Sequence, residues 1–244
     1  LRTDPTETSP DTTTEPVSIP NVDLTAISLK YTQLDTAAED GTTVYSFRYP
    51  IPYLVTVRAD VTQDVTVDLM GRIDDGSELE AQAQAAYGTE GFTPYSLSVS
   101  YTPTRVDVGV LSLYGEVRSY PSGVHASFLS TAVSYDLLTG AELHLSDILN
   151  GNVTAEQLCT LLLASLSKQE GNLYADYANV AAERVQDCMN GADGWYFTTT
   201  GLCFFFSPYD IAPYSAGEQT FFIPYDLVKP YLNDYGLHLL ELDT

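Results

Sequence analysis

The chain has 244 residues, of which 44% are apolar, and a net charge of −23 from 33 acidic and ten basic residues. This length suits one large domain, or two small ones packed together, with a core that needs neither disulfides nor metal. Such an acidic chain repels phosphate backbones and anionic lipid surfaces, which argues against nucleic-acid and direct membrane binding. It attracts cationic partners instead, although many exported proteins are acidic for solubility alone.

The first 20 residues, LRTDPTETSPDTTTEPVSIP, carry −3 of the net charge and are mostly Thr, Pro, Ser and acid. Such a segment buries too little apolar surface to offset its ordering entropy, so residues 1–20 are predicted to be a disordered spacer. No run of 18 apolar residues occurs in the chain, and no membrane span is predicted. The remainder is divided into an N-terminal α+β subdomain, residues 21–115, and a C-terminal α+β subdomain, residues 116–244, packed against it.

The N-terminal part opens with a predicted hairpin. Residues 26–31 and 43–49 alternate like strands, Asp40-Gly41 marks the turn between them, and Pro50 and Pro52 close the second strand. Apolar residues at every fourth position from Val57 to Ile73 predict a helix, and a second helix is predicted over residues 78–87. Strands follow over residues 95–101, 105–120 and 125–137, and they predict an antiparallel meander.

In the C-terminal part, Thr154 and Gln157 form a predicted capping box that opens a helix. Another helix runs to about Met189. A hairpin with its turn at Thr200-Gly201 follows, then a strand over residues 220–223 and a short helix over residues 225–231. The predicted fold class is therefore α+β, an antiparallel β-sheet with helices packed on one face.

Three cysteines are too few and too irregularly spaced for a disulfide framework or a zinc site. Cys203 lies in an apolar run and is expected to be buried. Cys159 and Cys188 fall in two predicted helices, and the sequence leaves open whether they form a disulfide.

Recognisable catalytic sequences are missing. The chain contains no H-E-x-x-H, G-x-S-x-G, P-loop or G-x-G-x-x-G motif, and its three histidines, at positions 125, 144 and 238, are far apart. A lone histidine is usually a structural hydrogen-bonding group. We therefore expect a non-catalytic domain without metal or cofactor, although paired carboxylates among 33 acids leave a hydrolase open.

The segment SPYDIAPYSAGEQ, residues 207–219, is the main candidate site. Its prolines stiffen a long loop between two strands, and such loops commonly carry recognition surfaces. The alternative is that its tyrosines fold inward and the loop is a structural plug. His125, which follows Ser122-Gly123 at the start of a strand, is a further candidate. The predicted partner-binding residues are Tyr209, Asp210, Tyr214, Glu218 and His125.

Three stretches carry a family resemblance: YPSGVHA from Tyr120, YDLLTG followed by LHLSDI from Tyr135, and the run from Trp195 to Tyr225 that contains SPYDIAPYSAGEQ. They resemble the extracellular domain of RsiV-type anti-sigma factors, and a matching domain that precedes some peptidoglycan deacetylases. The resemblance covers residues 105–230 well and residues 26–104 only in general layout.

The resemblance implies a domain at the bacterial cell surface, outside the cytoplasm and tethered through the N-terminal spacer. In anti-sigma factors of this type the outer domain binds lysozyme, a basic protein, and the signal frees a sigma factor. A binding and sensing domain is thus the first hypothesis. The second is a cell-envelope accessory protein or lipoprotein domain that binds peptidoglycan, a cell-wall glycan, or assists a wall-modifying enzyme.

Overall fold

A computed structural model describes residues 27–54, 59–73, 75–121, 126–166 and 172–242. The predicted spacer, residues 1–20, and His125 lie outside this part. No helix in the described ranges is long and apolar enough to cross a membrane. The strands are β1 Ile27–Ala37, β2 Thr43–Leu54, β3 Tyr95–Val106, β4 Val110–Tyr120, β5 Ser127–Asp136, β6 Trp195–Phe197, β7 Gly201–Phe206 and β8 Gln219–Pro224. The helices are α1 Ala59–Gly71, α2 Ser77–Ala86, α3 Leu145–Ile148, α4 Ala155–Leu166, α5 Tyr177–Met189, α6 Tyr225–Val228 and α7 Asp234–Leu239, with short 3-10 helices at Tyr214–Ala216 and Lys229–Tyr231.

The α+β class is confirmed, and the larger sheet has five strands in the order β1-β2-β3-β4-β5. Three of its pairings are antiparallel, as predicted. The pairing of β2 with β3 is parallel, over residues 45–48 and 95–98, and is the exception to the predicted antiparallel arrangement among the described strands of this sheet. The reason lies between these strands: α1 and α2 form a crossover, and a crossover allows the chain to re-enter the sheet in the same direction.

Both predicted N-terminal helices are present and pack on one face of this sheet. The four-residue periodicity places Val61, Val65 and Leu69 of α1 in the core, each at most 1% exposed. Gly76 adopts a left-handed conformation, φ 70°, immediately before α2 and separates the two helices, since glycine carries no steric penalty there. The sheet contributes core residues that alternate along the strands, among them Phe47, Leu97, Val99, Leu113 and Val133.

Several predicted strand ends differ from the structure: β1 runs to Ala37 where residue 31 was predicted, and β4 begins at Val110 where residue 105 was predicted. Strand β2 continues through Pro50 and Pro52 to Leu54. Its pairing with β3 ends at Arg48, so β2 is bonded on one side only beyond that point, and an edge tolerates the missing proline N–H. Strand β3 also extends past the predicted break to Val106, with a register shift between Pro103 and Arg105.

The second sheet is small and antiparallel, in the order β6-β7-β8. Every residue of β7 is buried. Helices α4 and α5 pack together and α4 packs against β8, so the sheet and the helices share one apolar core. The predicted capping box is confirmed: the Thr154 N–H donates to Gln157 Oε1 at 2.9 Å, and the Gln157 N–H donates to Thr154 Oγ1 at 3.3 Å.

Cys159, Cys188 and Cys203 are buried free thiols, without a disulfide between α4 and α5.

Polar contacts join the two sheets. The Phe197 N–H donates to Ser112 Oγ at 3.0 Å, and Ser112 shares a buried hydrogen bond of 2.8 Å with Ser134. Strand β6 therefore lies against β4 and β5, over one end of the sheet face opposite α1 and α2. Residues 115 and 116 both belong to β4. The division into residues 21–115 and 116–244 stays a prediction.

Candidate recognition cleft beside the 207–219 loop

The loop between β7 and β8 is held in one shape by its own backbone and by the core. The Asp210 N–H donates to Ser207 O at 3.0 Å, and the Tyr209 N–H donates to Ala212 O at 3.1 Å. Ile211 and Ala212 are buried, and Ile211 O accepts a hydrogen bond from the Tyr174 N–H at 2.8 Å. The loop is thus anchored by its apolar centre.

The two tyrosines of this loop point outward. Tyr209 is 66% exposed and Tyr214 is 54% exposed, and their rings stack with centroids 5.5 Å apart and planes inclined by 29°. The alternative in which both tyrosines plug the core is therefore wrong, because Ile211 takes that place. Tyr209 also has a positive φ of 77°. A non-glycine residue in this region is strained, and such strain often accompanies a functional conformation.

These rings form one wall of a pocket of about 480 Å³ between the loop and the edge strand β5. We call this pocket the aromatic cleft. Apolar and aromatic side chains dominate its lining, with one serine hydroxyl, and this composition is typical of ligand or protein recognition sites. The lining residues are Ala126, Ser127, Phe128, Pro208, Tyr209 and Tyr214.

The carboxylate of Asp210 forms contacts both within the loop and with α5. Its Oδ2 pairs with Arg184 Nη2 of α5 at 2.8 Å and accepts the Ser207 N–H at 2.8 Å. Both charged side chains are about one-third exposed or less. The carboxylate therefore ties the loop to α5, and a direct contact between Asp210 and a partner remains a prediction.

Glu218 connects the loop to the larger sheet. Its Oε2 accepts hydrogen bonds from the hydroxyl of Tyr114 on β4, at 2.6 Å, and from the hydroxyl of Ser130 on β5. Burial and the bond to Glu218 raise the pKa of Tyr114, so its hydroxyl stays protonated and keeps donating. Tyr114 also packs against Tyr196 and Phe205, with ring centroids 5.5 and 5.6 Å away. Glu218 thus fixes the end of the loop, and its predicted contact with a partner is untested.

Phe128 is a lining residue that sequence analysis did not single out. It lies on β5, where its register partner Arg118 on β4 places a guanidinium 5.3 Å from the centre of its ring. Alternation along residues 125–137 was visible in the sequence, but a period of two does not tell which side of a sheet faces a distant loop. His125, the remaining candidate, falls outside the described residues.

The described residues offer little for nucleophilic or metal chemistry. Burial raises the pKa of Cys188 to about 12 and also raises the pKa values of Cys159 and Cys203. These thiols therefore remain protonated near neutral pH, and a protonated thiol is a poor nucleophile. Within the described ranges, no three His, Cys, Asp or Glu side chains gather in a metal-binding group.

The chain shares sequence features with a family that carries no assigned activity. Residues 146–226 match DUF3298, described as a protein of unknown function. The match includes the 207–219 loop with its two tyrosines. No curated protein matches the chain.

Two crystal structures of DUF3298 family members have a similar fold. One, from Bacteroides fragilis NCTC 9343, has a TM-score of 0.63 at 14% sequence identity, over 92% of this chain and 98% of that chain. The other, from Pseudomonas aeruginosa PAO1, has a TM-score of 0.54 at 14% identity, over 85% and 94% of the two chains. At this identity the likeness concerns the fold alone. Coverage of 92% and 85% of this chain extends well beyond residues 146–226.

Proposed function

We propose that this chain is an extracytoplasmic, non-catalytic binding domain whose aromatic cleft holds a cationic protein of the lysozyme type. The observation that carries the proposal is the outward stack of Tyr209 and Tyr214 on a rigid loop. Tyrosine rings supply a large contact area at low entropic cost, and their hydroxyls tolerate exposure in the free protein. Two exposed rings beside a concave pocket thus suit the centre of an interface.

The charge of the chain supports a basic partner. A net charge of −23 accelerates association with a cationic protein and disfavours association with anionic proteins. The ion pair of Asp210 with Arg184 and the hydrogen bond from Tyr114 to Glu218 leave both carboxylates fixed on the loop. Long-range charge therefore contributes mainly to the encounter, and the aromatic cleft contributes mainly to the lifetime of the complex.

The resemblance to RsiV-type anti-sigma factors supplies the biological setting of this proposal. In such a protein, the domain stands outside the membrane on a spacer, and lysozyme binding starts a signal that releases a sigma factor. The signalling output is a proposal that extends to whatever segments are joined to this domain.

Isothermal titration with a basic lysozyme tests the binding proposal. The titration is made at low salt and again at about 0.15 M salt, where the Debye length is about 8 Å. Binding in the micromolar range or tighter at both salt concentrations is the expected result. Binding that disappears at the higher concentration indicates nonspecific charge attraction and contradicts the proposal. Retention on purified peptidoglycan without lysozyme binding would favour the envelope-accessory function instead.

A further inference from the structure

A polar surface lies on the five-stranded sheet, on the face opposite α1 and α2. Phe47 and Leu97 point into the helix-covered core, so their neighbours Arg48 and Ser98 point to the other face. The small sheet covers only one end of this face, where Tyr114 meets Tyr196 and Phe205. At the other end, Arg48, Thr102 and Arg118 are exposed among the described residues.

Two arginines stand in one row across this end. In register, Arg48 of β2 is beside Ser98 of β3, and Ser98 is opposite Arg118 of β4. Two strand spacings separate the arginine backbones, roughly 10 Å. The chain has only ten basic residues among 244, so two of them in one row form a local exception to its acidity. We call these three residues the arginine row.

Both guanidinium groups are held by aromatic rings. Arg48 Cζ lies 4.2 Å from the centre of the Tyr31 ring, and Arg118 Cζ lies 5.3 Å from the centre of the Phe128 ring. Stacking of this kind orients a guanidinium without neutralising its charge. The side chain of Arg118 is 60% exposed, and Arg48 is also exposed. The row is thus accessible and partly preorganised.

The charges of the two arginines are only partly compensated. Arg118 pairs with Glu116 on the same strand, at 2.9 Å. Across the described ranges, no carboxylate lies within ion-pair distance of Arg48. The nearest acid along β1 on this face, Asp35, is occupied by hydrogen bonds from Ser46 at 2.6 Å and Gln33 at 2.9 Å. Arg48 therefore retains its capacity for a bidentate bond to an anion.

Hydroxyl side chains of β3 lie beside the arginine row. The residues of β3 that share this face are all serine or threonine near the row: Ser96, Ser98, Ser100 and Thr102. Around the row, β3 is a central strand whose backbone is paired on both sides, so only side chains remain to meet a ligand. A face of hydroxyls and guanidinium groups suits a ligand that is itself rich in hydroxyls and carries spaced anions.

From this geometry we infer that the arginine row binds a glycan strand bearing carboxylates, at a site that adjoins the aromatic cleft, since the Arg118 guanidinium lies over the ring of the cleft residue Phe128. Arg48 and Arg118 bind carboxylates, and Ser96, Ser98 and Ser100 exchange hydrogen bonds with sugar hydroxyls. Acids elsewhere on the molecule are screened beyond about 8 Å at 0.15 M salt, so the overall charge does not prevent a local contact. An acidic peptide fits less well because its backbone groups find no unpaired strand here.

Titration of the full chain with pentagalacturonate tests this inference, with maltopentaose as the neutral sugar and pentaglutamate as the acidic peptide. Pentagalacturonate is expected to bind in preference to both. Arg48→Gln should weaken the binding of pentagalacturonate by about tenfold or more, because it removes a charge-assisted bond to a carboxylate. Lys30→Gln is the matched control, since Lys30 pairs with Ile51 on the opposite face of the same hairpin and its loss changes the net charge equally.

The outcomes separate the possibilities. Equal weakening by Lys30→Gln overturns the site, since only net charge then matters. If maltopentaose binds as tightly as pentagalacturonate, the ligand's carboxylates are not recognised. If pentaglutamate binds more tightly, the ligand is an acidic peptide and not a glycan. Absence of pentagalacturonate binding overturns the whole inference. Thermal melting confirms that each variant is folded. Tyr214→Ala should leave pentagalacturonate affinity unchanged, which keeps this test independent of the lysozyme proposal.

Discussion

The Nη1 of Arg105 donates a 2.8 Å hydrogen bond to the hydroxyl of Tyr225, across 120 residues of sequence. Arg105 is wholly buried at the end of β3 and forms an ion pair of 2.6 Å with Asp107. The Tyr225 hydroxyl donates in turn to Thr198 O at 2.9 Å. This chain of contacts links the five-stranded sheet to the smaller sheet, and therefore to the loop that carries the aromatic cleft.

Tyr225→Phe tests that link. The substitution keeps the ring but leaves an Arg105 N–H and the Thr198 carbonyl without their partner in a buried place. An unsatisfied buried polar group costs about 1–3 kcal/mol, so the free energy of unfolding should fall by that amount. Urea denaturation measures it. Tyr231→Phe is the control, because the ring of Tyr231 packs on the same core and its hydroxyl makes no hydrogen bond within the described residues. Equal stability of the two variants would show that the link is unimportant.

Tyr209 provides a test of strain in the binding loop. At φ 77° a residue with a Cβ costs about 1–2 kcal/mol relative to glycine, partly offset by the larger entropy of glycine in the unfolded chain. Tyr209→Gly should therefore be more stable than Tyr209→Ala by about 1 kcal/mol in urea denaturation, while both variants lose lysozyme affinity. If the two variants are equally stable, the left-handed conformation is not strained.

The carboxylate of Asp68 is expected to make the free energy of unfolding depend on pH in the acid range. Burial alone raises the pKa of this carboxyl, but hydrogen bonds from Tyr135, at 2.6 Å, and from Arg72 outweigh it and bring the pKa below the usual 3.8. A lowered folded pKa stabilises the protein above the unfolded value, and that stabilisation is lost as the pH falls through the folded value. Wild type should therefore exceed Asp68→Asn in stability at neutral pH.

The pH dependence gives the decisive comparison for Asp68. The stability difference between wild type and Asp68→Asn should shrink as the pH falls from about 5 to 2, measured by urea denaturation at each pH. Asp64→Asn is the control, since Asp64 lies one turn earlier in α1 and makes no hydrogen bond or ion pair within the described part. A difference that stays constant with pH would exclude the carboxylate as the source.

Local patterns predicted much of the fold. The spacing of Val61, Val65 and Leu69 located α1, and the pair Thr154 and Gln157 located the start of α4, because both signals depend on neighbours within one or two turns. The parallel pairing of β2 with β3 was missed, because strand direction depends on where the crossover returns. Helices α3 and α7, of four and six residues, were also missed, since so few residues show no period.

The candidate site was predictable to a similar degree. Proline spacing and the two tyrosines marked the 207–219 loop, whereas the partners of Asp210 and Glu218 lie on other elements, at Arg184 and at Tyr114 and Ser130. These contacts join residues 26 to 104 positions apart, and no local pattern encodes them. The arginine row was invisible for the same reason, since it appears only when three strands are in register.

We propose that the stacked tyrosines of the aromatic cleft bind a basic protein. The most direct measurement is isothermal titration of a basic lysozyme into wild type, Tyr214→Ala and Tyr53→Ala at about 0.15 M salt. Tyr53 is 62% exposed on β2, outside the cleft, and serves as the matched control. Tyr214→Ala is expected to stay folded and to lose about thirtyfold in affinity, which corresponds to about 2 kcal/mol for an aromatic hot spot, while Tyr53→Ala is expected to bind like wild type. Equal affinity of all three proteins would show that the stacked tyrosines do not contact the basic protein.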